Sequence, residues 1–417
     1  MMNAHFGRQR GAATLLTTVI ILVLMTMITF FANRNILFER KTVSNQYRSA
    51  KAHEAAEAGL EWAVANLNSM RKIDAACATS TGSTDRSFRD KYLDPDNNGR
   101  YVETFSTATP LCTLVSGAWS CGCPSTGAPT PDACADPAGC PAFRVSFQNV
   151  ATDPAMVRVT SIGCNDSQKP CVAGAGGTAD GTATIVQVIK LLNGLGTVPA
   201  AALTAKGNVD FGSNAITATN TDPGTNGITI NAGGNITGFI NPKTIQSLPG
   251  TPSTASLVGN DASLGTLSSD QMFTSFFGVT KDAFKAASTT TVVTCSGTCN
   301  DTILQAIDAG ARQIWVDGDM ALNSNAVFGS ATQPIMLVVN GNAEVRGTMT
   351  IYGVLYCQNG TWDNTGGGDA QIIGAAIAEN NFTATGTPNP TYASDVLAAL
   401  RETSGQFAKV PGGWRDF

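Results

Sequence analysis

The sequence predicts an α+β protein: a long N-terminal helix, a small antiparallel-sheet head and a C-terminal β-solenoid. Three observations carry that prediction. Residues 12–32 hold no charge, no Pro and no Gly, and the helical pattern runs on from them into polar sequence, with no Pro before Pro95. Three β-branched or alternating runs follow, at Ala142–Val150, Met156–Ile162 and Thr184–Leu191, with turn-rich sequence between them. From residue 314 onward, apolar runs recur about every twenty residues, a period that suits stacked coils.

The apolar segment comes first. At 1.5 Å per residue, residues 12–32 span about 30 Å as a helix, the thickness of a bilayer core. The run is too long for a secretory signal, and no small-x-small cleavage site follows before Asn33-Arg34. A plain signal-anchor is the simpler alternative. Residues 33–73 continue as a stalk helix whose weak point is Gly59. Ile36, Val43, Tyr47, Ala50, Ala58, Trp62 and Leu67 make a loose stripe along it. The C-terminal half of that stripe is expected under a globular head, and the N-terminal half against other subunits.

Composition limits the function. The chain has 417 residues, 43% apolar but only 14% charged, with 43 Gly and 18 Pro. Low charge with much Gly, Thr, Asn and Ser suits an extracellular β-rich protein. Net charge is −5, so nucleic acid is not an expected partner. Eight of the eleven cysteines lie between 77 and 171. Behind a membrane-targeting segment they read as disulfides in an oxidising compartment, which puts the bulk of the chain outside the cytoplasm. Cys295, Cys299, Cys164, Cys171, Cys134 and Cys140 are candidates for bridges, with connectivity left open. Zinc at Cys121-Gly-Cys123 is the rival, weakened by the lack of a His partner or a paired CxxC. The odd count leaves one thiol, assigned to Cys357 in an apolar run.

The head, residues 74–200, is expected as a meander packed on the helix, its loop 112–140 held by disulfides. It contains one motif with chemistry. Asp94-Pro-Asp96-Asn-Asn98-Gly99-Arg100 begins like a calcium loop, with oxygens at first, third and fifth positions and Gly at the sharp turn. The ligand set would be Asp94, Asp96, Asn98, Arg100 and Glu103. Position twelve is Phe105, however, and Glu103 stands two residues early. A solvated Asp/Asn/Gly turn is the competing reading.

Residues 201–417 form a degenerate repeat. Lys206–Phe211, Ala232–Ile236, Val316–Met320, Val339–Ala343 and Tyr356–Gly360 each set a Gly/Asn/Asp turn beside a short apolar strand. Turn Asn and Asp tolerate left-handed backbone and can form ladders between coils. A β-sandwich is the rival architecture. Helical pieces at 268–287, 301–310 and 392–403 are expected as insertions or caps. Asp317 and Asp319 are a carboxylate pair of the kind polysaccharide-cleaving solenoids use, but Gly318 between them fits a plain turn. The histidines are His5 and His53, so a Ser-His or Cys-His nucleophile in the head is excluded. An enzyme is not expected.

Arg8-Gln9-Arg10-Gly11-Ala12-Ala13 with the apolar run resembles the start of a type IV prepilin. It is most similar to PilX-type minor pilins and, more distantly, to the K-type minor pseudopilin of type II secretion. Ala55-Ala56-Glu57-Ala58-Gly59-Leu60-Glu61 resembles the AEAG segment of PilX-type chains. The resemblance covers residues 7–70. It implies a leader, residues 1–11, cut by a prepilin peptidase between Gly11 and Ala12, with methylation of the new N-terminus. It implies residence in the inner membrane with the C-terminal part periplasmic, then a place in a pilus at the cell surface. Implied partners are other minor pilins, the major pilin and a PilY-type tip adhesin. Major pilins usually begin with Phe and carry Glu at the fifth mature position; here these are Ala12 and Leu16. That Glu can neutralise a neighbouring subunit's amine in an apolar core, where an unpaired charge is costly. Leu16 cannot, which suits a tip or priming position better than the shaft. A tip adhesin or DNA-uptake module, and a secretion pseudopilin, are the alternatives.

Overall fold

One helix runs from Gly11 to Leu67, 57 residues, or about 85 Å. The computed structural model describes residues 11–99, 101, 105–129, 134, 140–150, 153, 155–166, 181–213, 216–295, 297–323, 325–362, 370–384, 386 and 389–416. The helix stops short of the expected Ile73. Asn66 turns its side-chain amide onto the Trp62 carbonyl at 2.8 Å, a local bond that competes with continued helix. Lys72–Ile73 instead pairs antiparallel with Arg86–Ser87.

The first forty residues of this helix touch little of the chain, and the last fifteen are gripped by the head. Ala52, Ala55, Ala56, Leu60, Ala63 and Leu67 are buried at three- and four-residue spacing. This shifts the C-terminal half of the expected stripe, while its N-terminal half is left uncovered within the chain. Of its members only Leu67 is fully buried, Ala58 and Trp62 are half-buried, and Ile36, Val43, Tyr47 and Ala50 are exposed. The reason is distance. A Cβ placed on Gly163 would collide with the Ala52 carbonyl and the Ala56 amide, and one on Gly59 would lie 2.7 Å from the Phe143 ring. Helix and sheet approach so closely that the contact face must be small residues.

The head sheet has six antiparallel strands in the order Gln406–Asp416, Thr182–Leu192, Met156–Cys164, Ala142–Asn149, Leu111–Val115, Ala118–Gly122. The three expected strands are its centre. Their buried residues alternate, for example Val157, Val159 and Ser161, so one face meets the helix. The edge strand Gln406–Asp416 was expected within the solenoid. It pairs with Thr182–Leu192 instead, so the chain returns to the head before it ends.

The C-terminal unit is a parallel solenoid with three strand rows. In one row Thr290–Thr294, Gln313–Asp317, Ile335–Val345, Met349–Trp362 and Gln371–Ala378 stack in parallel register, followed by Leu203–Ala205, Ile230–Ala232 and Leu257–Val258. The spatial order is not the chain order. The chain enters mid-stack at Leu203, builds coils outward to Val258, and crosses by the helices Ser269–Phe277 and Lys281–Ala286. It restarts at Thr290 on the far end and winds back until Ala376–Ala378 lies on Leu203–Ala205. The expectation that each coil stacks on the next in sequence therefore holds within each half and fails where the halves meet.

Consecutive apolar residues in these strands have two separate cores. Ile314, Val316, Leu337, Val339, Leu355 and Ala376 point inside the solenoid. Trp315, Met336, Val338, Tyr356 and Ile377 point outward beneath the crossing helices, whose Phe273, Phe277 and Phe284 cover them. The helix Asn300–Asp308 puts Ile303 and Ala306 into the inner core at one end of the stack. Gly353 and Gly374 turn one corner with φ of 129° and 141°, and a side chain there would strike the carbonyl of the coil beneath.

Candidate functional site

The surface with no structural duty inside the chain is the first part of the long helix. Leu16, Ile20, Leu24, Ile28 and Phe30 are each 50–69% exposed. This is the one described helix long and apolar enough to cross a membrane. Its polar side chains are silenced locally. Thr17 and Thr18 donate to the carbonyls of Ala13, Thr14 and Leu15, and Thr26 and Thr29 to those of Val23 and Met25. No water is needed to satisfy these hydroxyls. Gly11 opens the helix backbone, and the leader residues before it lie outside the described residues. Leu16 offers only hydrocarbon at its depth.

At the other end, the head and solenoid are locked together through Arg89, which is fully buried. Its Nε donates to the Leu67 carbonyl at 2.7 Å, and its Nη1 to the carbonyls of Thr403 and Gly405 at 3.2 and 2.8 Å. Leu67 ends the long helix and Thr403 ends the helix Ser394–Thr403. One guanidinium thus satisfies orphan carbonyls at two helix C-termini, where a cation is also favoured by both dipoles. The rings of Tyr101 and Phe407 flank it, with centroids at 5.6 and 5.1 Å. Beside it Asn68 clasps the Phe407 backbone in both directions, at 2.7 and 2.9 Å. Sequence reasoning missed Arg89, because an Arg inside Phe88–Leu93 carries no signal of burial.

The calcium-like loop is built as a turn. Asp94 is buried, and its two carboxylate oxygens accept the main-chain N–H of Asn98 and Gly99, each at 3.0 Å. Burial raises its carboxyl above the usual range, against those two bonds. Asp96 and Asn98 are exposed. Arg100 and Glu103 lie outside the described residues. Among the described residues, no cluster of three or more His, Cys, Asp or Glu is placed to hold a metal.

The cysteines pair. Cys77 bonds Cys123, Cys112 bonds Cys121, Cys134 bonds Cys140 and Cys295 bonds Cys299. Cys164 is also disulfide-bonded, and Cys171 lies outside the described residues. The Cys121-Gly-Cys123 pair feeds two different bridges. Cys357 is a free thiol, buried in the solenoid core, and burial pushes it up to about 12.

The carboxylates of the solenoid hold structure. Asp317 is bound by Lys285 at 2.8 and 2.9 Å and by the Trp315 indole N–H at 2.7 Å. Lys285 and then Trp315 keep it below the usual carboxylate range. Asp319 begins a polar ladder along one corner. Its Oδ1 accepts Asn342 N–H at 2.7 Å, and Asn359 Nδ2 donates to Asn342 Oδ1 at 2.9 Å. Asn381 N–H donates to Asn359, Asn208 N–H to Asn381, and Asn235 N–H to Asn208, at 3.2, 2.8 and 2.8 Å. Five of these six residues sit in the repeat turns read from sequence; Asn381 is the addition.

Comparison with known proteins agrees with the geometry of the helix. The family model for the PilX N-terminal region matches residues 10–61. No curated protein matches the sequence. The competence-associated pilin ComZ from Thermus thermophilus aligns over 89% of this chain and 97% of its own, at 12% identity and a TM-score of 0.24, a superposition too loose to place any element. The resemblance to PilX-type chains is thus found again in the N-terminal segment, residues 10–61, of this chain.

Proposed function

We infer that this chain is a minor pilin of the tip or priming complex of a type IV pilus. Its helix waits in the inner membrane with the remainder in the periplasm, then packs among other minor pilins and the major pilin. The disulfide-bonded head and the solenoid are carried outward as a surface domain, against which a PilY-type tip adhesin is the expected partner. The role is structural, with no catalytic step.

The observation that carries this reading is the division of the long helix. Its C-terminal part is bound tightly to the head, while its membrane-length part, residues 13–32, is uncharged and uncovered, with Thr17, Thr18, Thr26 and Thr29 bonded to the helix's own backbone. Such a surface is stable only in lipid or against other helices. Leu16 refines the position, because it offers no carboxylate to a neighbour's amine. The test is processing. Gly11→Leu should leave an unprocessed chain of larger size, absent from sheared filaments. Mature-sized protein at normal level in filaments from that variant would refute the proposed cleavage.

A further inference from the structure

Where the head meets the solenoid, a polar pocket of about 230 Å³ lies beside the paired segments Lys72–Ile73 and Arg86–Ser87. Lys72, Asp85, Arg86 and Asp90 of the head line it together with Arg312 and Gln333 of the solenoid. Its walls are fixed. Lys72 N–H donates to the Ala309 carbonyl at 3.0 Å and Gln333 Nε2 to Asn97 Oδ1 at 2.8 Å, so two bonds join head to solenoid around it. Arg312 is buried and donates to the carbonyls of Gly310 and Ala311 at 3.4 and 3.1 Å and to Gln333 Oε1 at 2.6 Å. Arg86 donates to the carbonyls of Asp94 and Pro95 at 2.9 and 3.2 Å. What is missing is charge pairing. The pocket is lined by three cations and two carboxylates, yet none of the five is ion-paired among the described residues. Lys72 Nζ has no hydrogen-bond partner among them, and Asp85 and Asp90 each use one oxygen, for the hydroxyls of Ser80 and Tyr101. Charges drawn into a junction are stabilised by pairing; these stay apart around a shared space.

We propose that this pocket binds one hexuronate ring, a sugar that carries a carboxylate. Charge selects the anion. The lining has one cation in excess, so a singly charged acid leaves the site neutral. Lys72, whose ammonium donors are unused, is the group that meets the carboxylate. The acids select the rest. Asp85 and Asp90 have oxygens left to accept hydroxyl donors, and Ser83, Thr84 and Asn97 border the same space with groups that donate and accept. Vicinal hydroxyls, each a donor and an acceptor at once, match that mixture. Inorganic phosphate matches it poorly, because the two carboxylates repel it. A neutral zwitterion such as glycine leaves the extra cation unmatched. A larger molecule does not fit, since pockets for drug-sized ligands begin at about 300 Å³. The site is made by head and solenoid together and stands apart from the question of filament position.

The test titrates the full detergent-solubilised chain with glucuronate and galacturonate, followed by calorimetry and ligand-observed NMR. Binding is expected with a Kd of about 1 mM or tighter. Glucose, inorganic phosphate and glycine should each bind roughly tenfold more weakly or worse. Lys72→Met and Asp85→Asn should each weaken uronate binding about tenfold, while Lys72→Arg retains it. Both side chains are half-buried, and an unchanged thermal midpoint verifies the fold of each variant. If a variant fails to fold, the comparison of ligands on the wild type decides. A galacturonate trimer that binds more tightly than the monomer places the ring at the end of a chain, and equal binding identifies a free sugar. The proposal is overturned by no uronate binding at about 20 mM, by glucose or phosphate binding as tightly, or by a folded Lys72→Met that binds like the wild type.

Discussion

The guanidinium of Arg89 donates to the main-chain carbonyl of Thr403, 314 residues further along the chain, at 3.2 Å. Through this bond the end of the long helix, the start of the head and the last helix of the solenoid share one fixed point. Arg89→Met should therefore strand the carbonyls of Leu67, Thr403 and Gly405 in a buried site. The expected loss is about 3 kcal/mol in denaturant unfolding of the detergent-solubilised chain. Arg89→Lys should recover little, since an ammonium lacks the fork that reaches all three. An unchanged midpoint for Arg89→Met would show that the junction does not depend on it.

The close helix–sheet contact predicts a sharp steric effect at two glycines. Gly59→Val drives a side chain into Phe143 and Ser161, and Gly163→Ala drives one into the Ala52–Ala56 backbone. Each should cost about 2 kcal/mol or more by overpacking. Gly117, whose Cβ would meet nothing within 4 Å, has a φ of 81°, so Gly117→Asn is the mild control. Equal losses at all three sites would show that the contact is not the cause.

Glu379 ties the crossing helices to the solenoid. It is buried and accepts from Lys281 at 2.6 Å and Tyr356 at 3.0 Å. Burial pushes its carboxyl up, but the bonds from Lys281, Ser269 and Tyr356 outweigh that and hold it below the ordinary glutamate value. A lowered carboxylate contributes stability that is fully present above its unfolded value and is lost as pH falls through its folded one. The wild type should thus lose this contribution as pH falls below the ordinary glutamate value of about 4.3. Lys281→Met should cost about 3 kcal/mol at pH 7, because Glu379 is left charged and unpaired. That deficit should shrink in acid. A deficit independent of pH in denaturant midpoints would remove the ion pair from the account.

The disulfides of the head differ in the loops they close. Cys77–Cys123 spans 46 residues and Cys112–Cys121 spans 9. On chain entropy, removing the first should cost about 4 kcal/mol and the second about 2.5 kcal/mol. Paired Ser substitutions, compared by thermal unfolding, check the order. The reverse order would mean that loop closure is not what these bridges supply.

What the sequence disclosed follows from local physics. The apolar run of the helix, the alternating strands Ala142–Asn149, Met156–Cys164 and Thr182–Leu192, and the Asn/Asp turns of the solenoid each carry their own signal. Asn208 and Asn342 could be read as ladder residues because the turn itself demands them. The failures are all non-local. The expected stripe enters the head through Ala58 and Trp62, but the sheet approaches so closely at Gly163 that Ala52 and Ala56 are what fit there. The strand Gln406–Asp416 alternates no more clearly than a solenoid strand, and only its pairing with Thr182–Leu192 places it. The mid-stack entry at Leu203 leaves no trace, because parallel coils look alike whichever neighbour they take. Arg89 is invisible for the same reason, since its partners are carbonyls far along the chain.

The central claim is that this helix, lacking a carboxylate at Leu16, serves the end of a filament. Immunogold labelling of the solenoid on sheared filaments tests it most directly. The account predicts gold at filament ends, one cluster per labelled filament. Gold spaced along the shaft at major-pilin density would contradict it.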